Sequence, residues 1–250
     1  NWYQLGKPEE LPLDFMQIIM MRKDPPFDLE YIYATYYLER AEENGTLVVN
    51  KPASLRDCNE KFFATAFAEL TPELVISRNS SVLKDFYFEH GDVIFKKLDG
   101  MGGKSIFRVK QEDSNLNVIL ETLTDDNQIQ IMAQKYIPEI SEGDKRILMI
   151  DGNPIDWALA RVPATGESRG NLAAGGTGIG QVLSARDREI AQRIGPELQS
   201  RGLTFVGIDV IGDYLTEINV TCPTCIRELD RQFDANIAGQ LMECVLNKLS

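Results

Sequence analysis

The sequence predicts an α+β protein that opens with part of an open parallel sheet. Residues 16–21 (MQIIMM) form a short apolar run of strand length, and residues 46–50 form another. The stretch between them has helical spacing. Strand, loop, helix and strand make a parallel crossover unit. Farther along, paired strands with tight turns read as hairpins, at 146–150 with 155–161 and again within 207–224. Hairpins beside a parallel crossover place the chain in the α+β class.

Each element has a local cause. Residues 22–27 (RKDPPF) must be a loop, because two prolines forbid a helix there. Asp28 is the expected N-cap. Leu29, Ile32, Tyr33, Tyr36, Tyr37 and Arg40 then follow helical spacing, with leucine and tyrosine as the apolar stripe, and Gly45 ends the helix. Residues 54–70 read as a helix carrying Asn59, Glu60, Lys61 and three phenylalanines. Strands are expected at 74–77, 93–97, 105–109 and 129–136, with a helix between the first two and a break at Pro138. Asp151 and Gly152 turn the first antiparallel hairpin. Residues 163–180 read as a glycine-rich loop and mobile lid. A helix over 187–199 should be distorted at Gly195 and Pro196, and a last helix starts near Asn236.

Composition removes several function classes. The chain has 250 residues, 43% apolar and 26% charged, with a net charge of −12 and no basic run. That excludes non-specific binding of nucleic acid and leaves room for a single nucleotide in a local positive pocket. No run reaches membrane-span length and no signal peptide is present, so no membrane partner is expected. Four cysteines do not make a disulfide framework in a chain this long, and a reducing cytoplasm is the expected setting. Asn1 in place of a start methionine suggests a fragment or processed form.

The chemistry concentrates in residues 207–224 (GIDVIGDYLTEINVTCPT). Period-two alternation puts Ile208, Val210, Ile218 and Val220 on one face and Asp209, Glu217 and Asn219 on the other. If the loop between the strands holds an odd number of residues, Asp209 sits directly across from Glu217, and facing carboxylates about 5 Å apart repel unless a cation lies between them. Three hard oxygen ligands suit Mg²⁺, not zinc. Residues 98–108 (LDGMGGKSIFR) hold a second signal: three glycines in four residues let backbone N–H groups approach an anion. A P-loop is rejected, since Leu98 stands where a glycine is required and a strand follows in place of a helix. Lys61 and Lys96 fit charge neutralisation of a triphosphate. Arg161, Arg169 and Arg227 are candidates to fork onto a carboxylate or phosphate. Cys222 and Cys225 form CPTC, for which a structural role is favoured over redox chemistry. His90, the only histidine, has no partner evident in the sequence.

Taken together, MRKDPPFD, NKPASLRDCNEK, Lys96 before LDGMGG, GDKRI, RGNLAAGG and GIDVIGDYLTEINVTCPTCIRE resemble the prokaryotic glutathione synthetases of the ATP-grasp superfamily, from about Met16 to the C-terminus. The resemblance implies two α+β lobes clasping ATP. It divides the chain into residues 1–56 (the end of an N-terminal α/β domain), 57–136 (a central lobe) and 137–250 (a C-terminal lobe with the lid). It implies a ligase that uses ATP to join γ-glutamylcysteine and glycine through an acyl phosphate, with Mg²⁺ or Mn²⁺ as cofactor. It also implies a homo-oligomer, commonly a tetramer. By this match Lys61, Lys96, Gly100, Met101, Gly102, Gly103, Gln134, Lys135, Tyr136, Ile137 and Asp144 hold ATP. Arg146, Arg161, Arg169 and Asn171 serve catalysis. Arg161, Arg169, Asn171 and Arg227 meet substrate, and Asp209, Glu217 and Asn219 hold the metal. Lys97, Thr177 and Cys222 stand where the family pattern has proline, arginine and serine. Another ATP-grasp peptide ligase, or a nucleotide-binding module without catalysis, stays open at this point.

Overall fold

The computed structural model describes residues 3–164, 166, 170, 172 and 175–249. Ile18–Met20 (β1) and Leu47–Val49 (β2) pair in parallel, with Leu29–Glu43 (α1) crossing between them. Asp28 caps α1 by accepting a hydrogen bond from the Tyr31 amide at 2.9 Å. The helix buries a different stripe from the one its tyrosines suggest. Tyr31, Thr35, Leu38 and Ala41 face inward, while Leu29, Tyr33, Tyr36 and Tyr37 are exposed. Both stripes have helical spacing, so the face is chosen by what lies beneath it: Pro52–Asp57 (α2) packs against α1.

Residues 54–70 do not form one helix. After α2 come a turn and a 3-10 segment, Phe63–Phe67. The break centres on Asn59, whose side-chain oxygen accepts from the amides of Lys61 at 3.1 Å and Phe62 at 2.9 Å. Its own amide donates to the Leu98 carbonyl at 3.0 Å. A short polar side chain thus offers the backbone an alternative to the helix. Glu60 and Lys61 consequently leave a turn, not a helix face.

Leu74–Ser77 (β3), Asp92–Lys97 (β4), Ile106–Lys110 (β5) and Ile131–Lys135 (β6) form an antiparallel sheet in the order β3-β6-β4-β5. Ser80–His90 (α3) and Leu116–Thr124 (α4) cover one face; α4 has no counterpart in the sequence reading. Val93, Phe95, Val109, Ile131 and Ala133 pack there against Leu83, Tyr87, Leu120 and Leu123. Alternation leaves Ile94, Lys96 and Gln134 on the other face.

The larger sheet contains Asp144–Ile150 (β7), Asn153–Val162 (β8), Thr177–Val182 (β9), Phe205–Ile211 (β10) and Tyr214–Asn219 (β11), in the order β11-β10-β7-β8-β9. Asp151 and Gly152 turn β7 into β8 with φ of 47° and 75°, the two positive values of a tight hairpin. β9 corrects the expected extent of the loop. Thr177, Gly178, Ile179 and Gly180 pair with Val162, Arg161, Ala160 and Leu159. A Cβ at Gly180 would lie 2.4 Å from the Phe233 ring, so this glycine serves close packing.

Ala185–Ser200 (α5) runs unbroken through Gly195 and Pro196, behind a capping box made by Ser184 and Asp187. It packs with the 3-10 segment on one sheet face, over Ile147, Met149, Val206, Ile208 and Val210. On the opposite face Leu148, Leu159 and Phe205 meet Ile226–Phe233 (α6) and Ile237–Asn247 (α7). Among the described residues no helix is long and apolar enough to cross a membrane.

Gly195 is the helix's point of contact with the hairpin turn: a Cβ there would sit 2.2 Å from the Gly152 carbonyl oxygen. Alanine gains about 1 kcal/mol of helix propensity over glycine, but overpacking against backbone costs about 1–3 kcal/mol or more. Gly195→Ala should therefore lower the urea midpoint, with a net loss of up to about 2 kcal/mol. A raised midpoint would show propensity outweighing the contact.

Candidate active site

Strand register gathers charged side chains on one face of the large sheet. Asp209 stands opposite Glu217 across β10–β11, brought there by a register shift between Asp209 and Val210 after an even, two-residue turn, and opposite Arg146 across β10–β7. Asp144 stands opposite Arg161 across β7–β8. Such pairs have Cβ atoms about 5 Å apart. Arg146 forks onto Asp209, with Nε to Oδ1 at 2.5 Å and Nη2 to Oδ2 at 2.9 Å. Arg161 Nη2 lies 3.0 Å from Asp209 Oδ2 and also pairs with Asp144. The Asn219 amide donates to Asp209 Oδ2 at 3.1 Å and to the Gly207 carbonyl at 3.2 Å. Gly207 makes this possible, since a Cβ there would lie 2.8 Å from Arg146 Cδ.

Burial sets the electrostatics, and the arginines decide the sign. Burial opposes charge on Asp209, but Arg146 and then Arg161 hold its carboxyl well below the usual carboxylate range. Asp144 goes the other way: burial pushes it up to about 7 despite Arg161. Its Oδ1 is buried without a hydrogen-bond partner among the described residues, as is Oε1 of Gln134.

A second charged group meets this one at Glu217. Lys61 Nζ lies 3.5 Å and Lys96 Nζ 3.9 Å from Glu217 Oε1. Lys61 also pairs with Glu60 and donates to the Gly100 carbonyl at 2.7 Å, which ties it beneath the glycine loop. Burial, then the charge of Glu217, pushes Glu60 up to about 7. Burial pulls the Lys96 ammonium down. For Lys61 the pull of burial is outweighed by Glu217 and Glu60, and its pKa rises.

Between the two sheets lies a cavity of about 340 Å³, within the range of small-ligand sites. The small sheet contributes Ile94, Lys96, Ile106 and Gln134, followed by Tyr136 and Ile137. The large sheet contributes Asp144, Arg146, Arg161, Glu217 and Asn219. Gly100, Met101, Gly102 and Gly103 complete the wall from the turn that joins β4 to β5, with φ of 62° and 78° at the last two. The expected hairpin turn is present there, and a strand, not a helix, follows it.

Most of the expected residues therefore meet at one cavity. Lys61 and Asp209 lie directly behind its wall. Two expected residues stand apart from the wall. The Lys135 side chain, on the opposite face of β6 from Gln134, is exposed and bound to Glu73 at 2.9 Å. Arg227 is exposed on α6 and forms no part of the wall. Arg169 and Asn171, like part of the expected lid, lie outside the described residues. Glu60 and Thr216 face the cavity and were missed. The helical reading of residues 54–70 hid Glu60, although its adjacency to Lys61 was a usable signal.

Cys222 and Cys225 also line the cavity, and all four cysteines are free thiols. Burial raises the pKa of both Cys222 and Cys225, which makes them poor nucleophiles. His90 is not without a partner: it packs on Phe86 with ring centroids 4.3 Å apart and lies 3.5 Å from Glu73.

The family models for the prokaryotic glutathione synthetase N-terminal domain and ATP-grasp domain match residues 1–56 and 60–234. The chain belongs to the prokaryotic glutathione synthetase family. It is 61% identical over 250 residues to the glutathione synthetase of Pseudomonas aeruginosa, covering all of this chain and 79% of that protein. It is 59% identical over 249 residues to that of Shewanella oneidensis, again covering 79% of that protein. In fold it is similar to the D-cycloserine synthetase DcsG, with a TM-score of 0.72 at 14% identity over 98% of this chain and 88% of that one. It is also similar to the ATP-grasp ligase PsnB complexed with minimal precursor, Mg and ADP, with a TM-score of 0.65 at 19% identity over 93% of this chain and 78% of that one. The chain is an ATP-dependent ligase that makes glutathione, using ATP and a divalent metal ion. A ligase of different product and a module without catalysis are not favoured.

Two acidic substitutions should separate the parts of this network. Asp209→Asn leaves Arg146 and Arg161 buried without their shared anion, and should cost about 3–5 kcal/mol of stability. Glu217→Gln removes the repulsion on Glu60 along with the attraction to two lysines, and should change stability by about 1 kcal/mol or less. Urea unfolding of both variants checks the contrast. Equal losses would show that the arginine cluster does not depend on Asp209.

Proposed function

We propose that the cavity joins γ-glutamylcysteine to glycine in two steps. The cysteinyl carboxylate attacks the γ-phosphorus of ATP, the bond to the bridging oxygen breaks, and ADP leaves. The neutral amine of glycine then attacks the acyl carbon, the carbon–oxygen bond breaks, and phosphate departs with the amine proton. The observation that carries this reading is the meeting of Lys96, Arg146 and Arg161 with Glu217 and Asn219 under a glycine turn. Cations gathered there stabilise charge moving between a carboxylate and a phosphate.

Each group has a task. Gln134, Tyr136 and Ile137 hold the adenine end. Lys96 and the backbone of residues 100–103 hold the phosphates, and Lys61 keeps that turn in place from beneath. Asp144 lies between the nucleotide and Arg161. Arg146 and Arg161 receive the reacting carboxylate and the acyl phosphate. Arg169 and Asn171 are assigned to the same substrate.

The donor set fits a hard divalent cation. Oxygen ligands predominate, and Glu217 and Asn219 face the cavity. The mutual strain of Glu60 and Glu217 is the kind a cation relieves. Asp209 lies behind them with its oxygens on Arg146, Arg161 and Asn219, so its share in ligation is the least direct. Mg²⁺ is assigned, with Mn²⁺ as the substitute; when bound it supplies charge neutralisation at the phosphates. The chain divides at about residues 56 and 136 into an N-terminal unit and two lobes. A cytoplasmic homo-oligomer, a tetramer by analogy with the family, completes the reading.

Phosphate release tests the function. It should require γ-glutamylcysteine and glycine together; release with either alone would overturn the reading. Glu217→Gln should lower kcat/KM about 100-fold, close to 2.7 kcal/mol, and shift the metal titration to higher concentration. Unchanged metal dependence would remove Glu217 from the donor set.

A further inference from the structure

The loop at residues 22–27 brings Asp24 and Pro25 into the wall of the same cavity, from the parallel-sheet unit that otherwise takes no part in the chemistry. Asp24 follows two cations, and both are engaged elsewhere. Arg22 Nη2 donates to the Pro223 carbonyl at 2.7 Å, with its guanidinium 5.3 Å from the centre of the Phe205 ring. The Lys23 ammonium lies 5.6 Å from the centre of the Tyr31 ring. Among the described residues, the other carboxylates of the cavity each meet a lysine or arginine: Glu60 with Lys61, Glu217 with Lys61 and Lys96, and Asp144 with Arg161. Asp24 meets the Cys222 thiol instead. Burial raises the pKa of that thiol, Arg22 opposes the rise and Asp24 adds to it, so a neutral S–H faces the carboxylate and does not cancel its charge.

We propose that Asp24 binds the α-ammonium of the γ-glutamyl end of γ-glutamylcysteine and so selects the substrate from the end opposite the reacting carboxylate. The proposal rests on the functional reading above. Among the two condensing substrates, γ-glutamylcysteine has one ammonium group and glycine has the other. Glycine must reach the acyl carbon as a neutral amine, and an acid beside it would hold it charged. The cation for Asp24 is therefore that of the dipeptide.

The lengths agree. Seven bonds separate the cysteinyl carboxyl carbon from the α-nitrogen, about 9 Å when extended. Asn219 marks the reacting end, and Cys222, beside Asp24, lies three residues farther along, at most about 10 Å of chain. Lys96, Arg146 and Arg161 at the reacting end repel an ammonium, so the dipeptide has one favourable direction in the cavity.

Titration calorimetry on the whole protein reads this without turnover. Asp24→Asn should weaken binding of γ-glutamylcysteine about tenfold and leave binding of ATP unchanged. N-glutarylcysteine, which lacks only the ammonium, should bind the unaltered protein about tenfold more weakly than γ-glutamylcysteine and bind Asp24→Asn with little further loss. If the variant weakens both compounds equally, or neither, Asp24 does not read the ammonium. If the unaltered protein shows the predicted pattern yet releases no phosphate with both substrates, the functional reading fails and the Asp24 assignment stands. No binding of γ-glutamylcysteine by the unaltered protein overturns both.

Discussion

The site depends on one buried arrangement: Asp209 held between Arg146 and Arg161. Two guanidinium groups share Asp209, while Asp144 beside Arg161 is pushed by burial toward its neutral form, and this places positive charge at the cavity wall where water screens it little. The sheet makes the arrangement cheap. Arg146 and Asp209 are register partners, so their side chains meet without bending the backbone. Gly207 supplies the room that a side chain would take away. An arginine pair left without Asp209 would not stay buried, and without the arginines Asp209 would not stay charged.

Two sheets are needed because the charges must come from both sides. The large sheet supplies acids and arginines. The small sheet supplies Lys96 and an apolar floor of Ile94 and Ile106. Glu217 joins the two, since lysines from the small sheet and from the residue 59–62 turn converge on it. Lys61 links that convergence to the glycine turn through the Gly100 carbonyl. A change in charge at Glu217 is thereby felt by the backbone that would lie over the phosphates.

The CPTC pair shows how a motif loses its usual meaning through context. Cys225 caps α6 from a left-handed backbone position, with φ of 87°, and is almost wholly buried. Cys222 lies between Arg22, which favours a thiolate, and Asp24, which opposes one, and burial keeps its pKa raised. Both sit in the cavity wall as free thiols.

The sequence alone determined the crossover unit, the Asp28 cap and the two hairpins, because each follows from local spacing and turn chemistry. It left the facing of Asp209 and Glu217 conditional on an odd loop; the turn at Gly212 and Asp213 has two residues, and the register shift between Asp209 and Val210 is what sets the two acids opposite each other. It did not determine which face of α1 is buried, because both stripes of that helix have the same period. It did not reveal the break at Asn59, where the competing hydrogen bond goes to Leu98, 39 residues away. The sequence reading reached for a metal ion to reconcile Asp209 with Glu217. The tertiary structure supplies four cations from the protein itself, on strands and a turn distant in sequence: Arg146, Arg161, Lys61 and Lys96. Charge balance in a buried site is a sum over neighbours in space, and spacing along the chain carries only part of it.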